Sequence, residues 1–134
     1  MININVKFAA ATLFLMGSSW TISAQELSIS HATVGSLETE ITEALDGADI
    51  SSVTKLSIFG ESLDNTDATY LKTTFKDHLE ELDITGITFI DNSVTDKLCQ
   101  KMTTLKIVSL PTDLTKIGKY AFDGCINLET VNWG

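Results

Sequence analysis

Arginine is missing altogether from this chain of 134 residues, and each of its nine basic residues is a lysine. The planar bidentate forks that grip phosphate and read guanine are therefore absent. With 18 acidic residues and a net charge of −9, the chain would be repelled by a phosphate backbone or an anionic lipid surface. Nucleic acid is not an expected partner. The acidity is read as what keeps the surface soluble, with attraction to a basic partner as the second reading. Histidine and cysteine are scarce too, as His31 and His78, Cys99 and Cys125. A Cys-His or Ser-His-Asp centre would need His78 beside Cys99 or a serine, with an orienting acid behind it. His78 instead directly precedes Leu79, where it is placed to satisfy helix-end carbonyls, so no enzyme activity is expected. No second Cys or His lies at ligand spacing from either cysteine, and neither a metal nor a cofactor is expected. Cys99 lies six residues before Leu105 and Cys125 three before Leu128, so the two are not equivalent in the repeats described next. Two buried thiols and a disulfide both remain open for the pair.

A long hydrophobic run is also missing. Phe8 to Met16 is closed by Gly17-Ser-Ser19 after half of the roughly 20 residues that cross a bilayer. With Lys7 ahead of it and Ile22-Ser-Ala24 as a cleavage site, residues 1–24 read as a secretory signal. Its removal leaves 110 residues, 8 lysines and 18 acids, with a net charge of −10 and the length of one domain. A secreted protein with no transmembrane anchor after signal removal is expected.

What the chain does have is a spacing that recurs. Val53-Thr-Lys-Leu56-Ser-Ile58, Leu79-Glu-Glu-Leu82-Asp-Ile84, Leu105-Lys-Ile-Val108-Ser-Leu110 and Leu128-Glu-Thr-Val131-Asn-Trp133 are four copies of L-x-x-L-x-L, separated by 26, 26 and 23 residues. Such regularity indicates a repeat protein. Between the copies, Ala68, Leu71 and Phe75 share one helical face, with Thr66 or Asp67 as the start. Val94, Leu98 and Met102 follow at i, i+4 and i+8 after Ser93-Val-Thr-Asp96, a capping box in outline, which predicts a second helix. Ahead of the first copy, Leu27-Ser-Ile29-Ser alternates as a short strand. Leu37, Ile41, Ala44 and Leu45 then form a helical face running to about Asp46-Gly47. Residues 25–52 are read as an N-terminal strand-helix cap and residues 53–134 as the repeats. The expected fold is α/β, a solenoid with a parallel β-sheet on its concave face and helices on its convex face.

In the last unit, Leu110-Pro111, Leu114, Ile117-Gly118, Ala121-Phe122, Cys125 and Leu128 resemble the BspA-type leucine-rich repeat over about one repeat and the start of another. Residues 53–104 match only the general leucine-rich pattern. The resemblance implies an exported bacterial protein, secreted or on the cell surface, that mediates protein binding or adhesion. The implied ligands are other proteins or host and community surfaces, bound without a cofactor; the mix of Glu81 and Asp83 with Phe59 and Ile107 on the strands suits contact with a glycan as well. The chain departs from the pattern by ending at Gly134 directly after a strand. That points to a truncated member, or to an end closed by Trp133 or by a second chain through self-association. The alternative role is a structural segment of a larger surface assembly.

In L-x-x-L-x-L the first, fourth and sixth positions point inward, which turns the third, the fifth and the residue after the sixth toward the concave side. Lys55, Glu81, Ile107 and Thr130 hold the third positions, and Ser57, Asp83, Ser109 and Asn132 the fifth. Phe59 and Thr85 follow the first two copies. These ten residues are the expected partner-binding face. Glu80, at the second position, need not share it, and the acidic set lacks the glycine-centred loop of a calcium site.

Overall fold

The computed structural model describes residues 11–14 and 25–134. Most of the expected export signal, residues 1–24, lies outside the described residues. Strand β1 (Ala11–Phe14) falls within it and pairs antiparallel with β2 (Gln25–His31), although the sequence reading left this stretch out of the fold. Strand β1 takes up backbone N–H and C=O groups on the outer edge of β2 that would otherwise be left without a ladder partner.

From β2 onward, helix α1 (Leu37–Leu45) leads to strand β3 (Val53–Gly60), and helix α2 (Asn65–Phe75) to β4 (Glu81–Ile87). The short strand β5 (Ser93–Val94) precedes β6 (Ile107–Leu110), and β7 (Lys116–Ile117) precedes β8 (Thr130–Trp133). The main sheet has the order β1-β2-β3-β4-β6-β8. All its pairings after the first are parallel and follow chain order. The chain is thus α/β with a five-stranded parallel sheet. Strands β5 and β7 make a separate two-stranded ladder.

Each L-x-x-L-x-L copy places its apolar positions on one face of this sheet. Leu27, Leu56, Leu82, Val108 and Val131 stand opposite one another in a continuous row. All but Val131 are fully buried, in one core with Leu37, Ile41 and Leu45 of α1 and Ala68, Leu71 and Phe75 of α2. Helix α1 follows its i, i+4, i+8 face and stops at Asp46 (φ 48), where Gly47 (φ 90) continues in a conformation that suits glycine. Helix α2 begins slightly earlier than Thr66. Asp64 caps it, accepting from the backbone N–H of Asp67, while the Asp67 carboxylate accepts from that of Asp64.

The helix expected from Val94, Leu98 and Met102 is not formed. Its three apolar residues are buried, but residues 96–101 form turns in which Lys97 (φ 58) and Lys101 (φ 63) are left-handed. The reason lies in the next unit. The backbone N–H groups of Lys97, Cys99 and Lys101 donate to the carbonyls of Lys119, Ala121 and Asp123 at 2.6–2.8 Å rather than up a helix of their own. Asp96 is not a capping partner of Ser93 either; its carboxylate accepts from Lys119 N at 2.7 Å. The later unit repeats the backbone geometry 23 residues on, with Tyr120 (φ 57) and Gly124 (φ 78) matching Lys97 and Lys101. Helices therefore cover only the earlier part of the sheet, and turns replace them beyond β4.

Both cysteines are free thiols. The Cys125 thiol donates to the Cys99 carbonyl at 2.9 Å. Trp133 does not fold over the core: it is 58% exposed, beside Val131 at 41%.

Candidate binding face

The face of the sheet turned away from the helices carries the residues between the buried ones. Strand register arranges them in rows, neighbours about 4.8 Å apart. The first row is Glu26, Lys55, Glu81, Ile107 and Thr130; the second is Ser28, Ser57, Asp83, Ser109 and Asn132. Residues of β2 to β6 in these rows are partly exposed, and Thr130 and Asn132 are exposed.

Lys55 lies between two carboxylates, 3.2 Å from Glu26 and 3.5 Å from Glu81. The hydrogen bond to Glu26 raises the Lys55 ammonium above its ordinary value against a smaller desolvation effect, and Glu81 adds to it. All three side chains are about a third or more exposed, so each pair contributes at most about 1 kcal/mol to stability. In the second row, one Asp83 oxygen accepts from both the backbone N–H (3.0 Å) and the hydroxyl (2.8 Å) of Thr85. That closed turn inserts one extra residue in β4, a bulge that shifts the register against β3.

Eight of the ten expected residues thus fall into two registered rows. Phe59 and Thr85 do not pair with each other as the motif implied. The bulge puts Gly86 opposite Phe59, and a Cβ on Gly86 would lie 2.6 Å from the Cβ of Phe59. Phe59 is left 42% exposed over this bare glycine. Glu80 stands apart, as expected, and pairs with Lys106 at 3.2 Å instead.

Motif spacing missed the contribution of β2. Glu26 and Ser28 extend both rows, and Ser30 stands opposite Phe59. The signal was present, because Leu27-Ser-Ile29 repeats as Leu56-Ser-Ile58; only the first apolar position of the motif is lacking. A groove of about 530 Å³ also opens on the helix layer, lined by Glu38, Asn65, Thr66, Thr69, Tyr70, Thr73 and Thr74. The hydroxyls of Thr69 and Thr73 donate back to carbonyls of their own helix. Among the described residues, no group of three or more His, Cys, Asp or Glu side chains is placed to hold a metal ion, and no helix is long and apolar enough to cross a membrane.

Compared with protein families, with curated proteins and with solved structures, the chain matches none.

Proposed function

We propose that this chain is a leucine-rich repeat module of the BspA type that acts by binding, on the surface or in the secretions of a bacterium, and that it is not an enzyme. In this reading the five parallel strands are the inner, concave face of a solenoid. The helices and turns are its outer face, residues 25–52 its N-terminal cap, and residues 1–24 a signal removed on export. The ligand is a protein on a host or neighbouring cell surface, held for adhesion, with a glycan as the other ligand class.

The observation that carries the reading is the polar face itself. The strands hold ten side chains from Glu26 to Asn132 in two rows in register, and among the described residues no other element covers them. Sites mounted on strands are positioned more tightly than sites on loops. The test is replacement of Glu81 and Asp83 by Ala, with binding measured to immobilised host or community surface proteins. The fold should be kept, because both side chains are partly exposed: Glu81 gives up an ion pair worth about 1 kcal/mol or less, and Asp83 two hydrogen bonds to Thr85 worth about 0.5–1.5 kcal/mol each. Binding should fall, and unchanged capture would sink the assignment of this face.

One observation favours a second reading, a structural segment that associates with its neighbours. Strand β8 is the sheet's edge among the described residues, and its four residues are exposed. Association through that edge would make the size of the protein in solution depend on concentration, and a concentration-independent monomer would refute it.

A further inference from the structure

Nine lysines stand against 18 acids in this chain, yet two of the lysines share a cavity on the helix layer, away from the open face of the sheet. The cavity, of about 260 Å³, is lined by Asn65, Ala68, Thr69 and Lys72 of α2 and by Asp96 and Lys97 of the turn that follows β5. Residues 65, 68, 69 and 72 fall at i, i+3, i+4 and i+7, so they form one stripe along α2. The turn is drawn against that stripe and fixed from its other side. The hydroxyl of Thr95 donates to the carbonyl of Leu63, just ahead of the helix. The N–H of Lys97 donates to the carbonyl of Lys119 at 2.8 Å, with Lys97 left-handed at φ 58. The stacking of successive units thus brings both lysine side chains to one space.

Neither ammonium is neutralised within the fold. Among the described residues the lysine–carboxylate pairs are those of Lys55 and Lys106, and Lys72 and Lys97 form none. Asp96, the one acid of the lining, has its carboxylate accepting from the Lys119 N–H at 2.7 Å. Burial, and after it the charge of Lys97, holds the Lys72 ammonium below its ordinary value of 10.5, so the two charges are near enough to act on each other. An anion seated between them turns one repulsion into two attractions. The other lining groups narrow the class of ligand. Thr69 spends its hydroxyl proton on the Asn65 carbonyl, which leaves it an acceptor, as Asp96 is. Such acceptors suit a hydroxyl beside the anionic group. The geometry points to a binding site for the sulfate or phosphate group of a hydroxyl-bearing small molecule, a sugar monoester, with Lys72 and Lys97 as its two charged contacts. A nucleic acid does not fit the same chemistry, because its further phosphates would meet the acidic remainder of the surface. The site is separate from the open face of the sheet and does not depend on what that face binds.

The experiment is a titration of the full-length chain followed by proton–nitrogen NMR, with glucose sulfate, glucose phosphate and glucose itself. Ionic strength is kept low and constant with chloride, since both lysines are open to screening. An ester that binds should shift the amide signals of Asn65, Thr69, Lys72 and Lys97 along one saturation curve, with a dissociation constant on the order of 1 mM for two charge-assisted contacts at a partly open site. Glucose should leave them in place. Saturation by one ester alone identifies the anion the site takes, and saturation by both means that it reads their shared chemistry. Lys72→Gln and Lys97→Gln each remove one charge and should each weaken binding about tenfold or more. The proposal is overturned if neither ester gives a saturable shift, if glucose gives the same one, or if the affinity is unchanged in either variant. The wild-type titration tests the site whether or not a variant folds.

Discussion

Gly118 is the position at which the stacking of one unit on the next can be tested most sharply. It is buried, and a Cβ built on it would lie 2.2 Å from the carbonyl oxygen of Val94, 2.7 Å from the backbone nitrogen of Asp96 and 2.7 Å from the Asp96 carboxylate. Two of these atoms are backbone, so no side-chain rotation relieves the clash, and the units must part by at least about 1 Å. Parting loosens the ladder between β5 and β7 and the bonds of the Asp96 carboxylate and the Lys97 N–H to Lys119. Overpacking of this kind costs about 1–3 kcal/mol, and each lost hydrogen bond about 0.5–1.5 kcal/mol more. Gly118→Ala should therefore destabilise the protein by about 3 kcal/mol, lowering Tm by roughly 11 °C for a chain of this size. Gly47→Ala is the control. Nothing lies within 4 Å of a Cβ there, but φ is +90°, so backbone strain acts alone and costs about 1 kcal/mol. Paired denaturant melts measure both. If Gly118→Ala were no more harmful than Gly47→Ala, the close approach between units would be wrong.

The core row gives a graded comparison. Leu82→Ala, at a fully buried site in mid-sheet, should cost about 2–5 kcal/mol, whereas Val131→Ala in the same row but 41% exposed should cost less than about 1 kcal/mol, both read from denaturant midpoints. Equal effects would mean that β8 packs as the inner strands do. The thiols predict a pH dependence. Burial, with Cys125 close by, pushes the Cys99 thiol well above its ordinary value of 9.0, and burial also raises Cys125. Alkylation in the native state should accordingly be slow at neutral pH, with Cys125, the partly exposed one, reacting before Cys99. Because the folded state favours the neutral thiols, this contribution to stability is fully present below the ordinary thiol value and is lost as pH rises beyond it. Unfolding midpoints measured on either side of that value, in wild type and in Cys99→Ala, would check the sign.

The strands and their register were legible because period-2 burial needs only the local pattern. Leu56, Leu82 and Val108 sit opposite one another as their motif positions require, and α1 runs along its apolar face to Asp46. The segment after β5 shows where this reasoning stops. Val94, Leu98 and Met102 have helical spacing and are buried, as a helix would bury them, yet the backbone is a set of turns. Spacing reports which side chains face the core, whereas the fate of the backbone N–H groups depends on what lies beside them. Likewise the alternation of Leu27-Ser-Ile29 marked a strand, but only pairing in register with β3 showed that Glu26 and Ser28 extend the open face.

By itself, then, the sequence determined the recurring motif, the inward residues of β3, β4 and β6 and eight members of the candidate face, because each of these follows from periodicity within a few residues. Three things were decided only by tertiary structure. One is the bulge that sets Phe59 over Gly86, and another the turns that replace a helix after β5. The third is the meeting of Lys72 and Lys97 from separate elements. The last two depend on groups far apart in the chain arriving close together, and the bulge, though closed locally by Asp83 and Thr85, matters only through its register with β3.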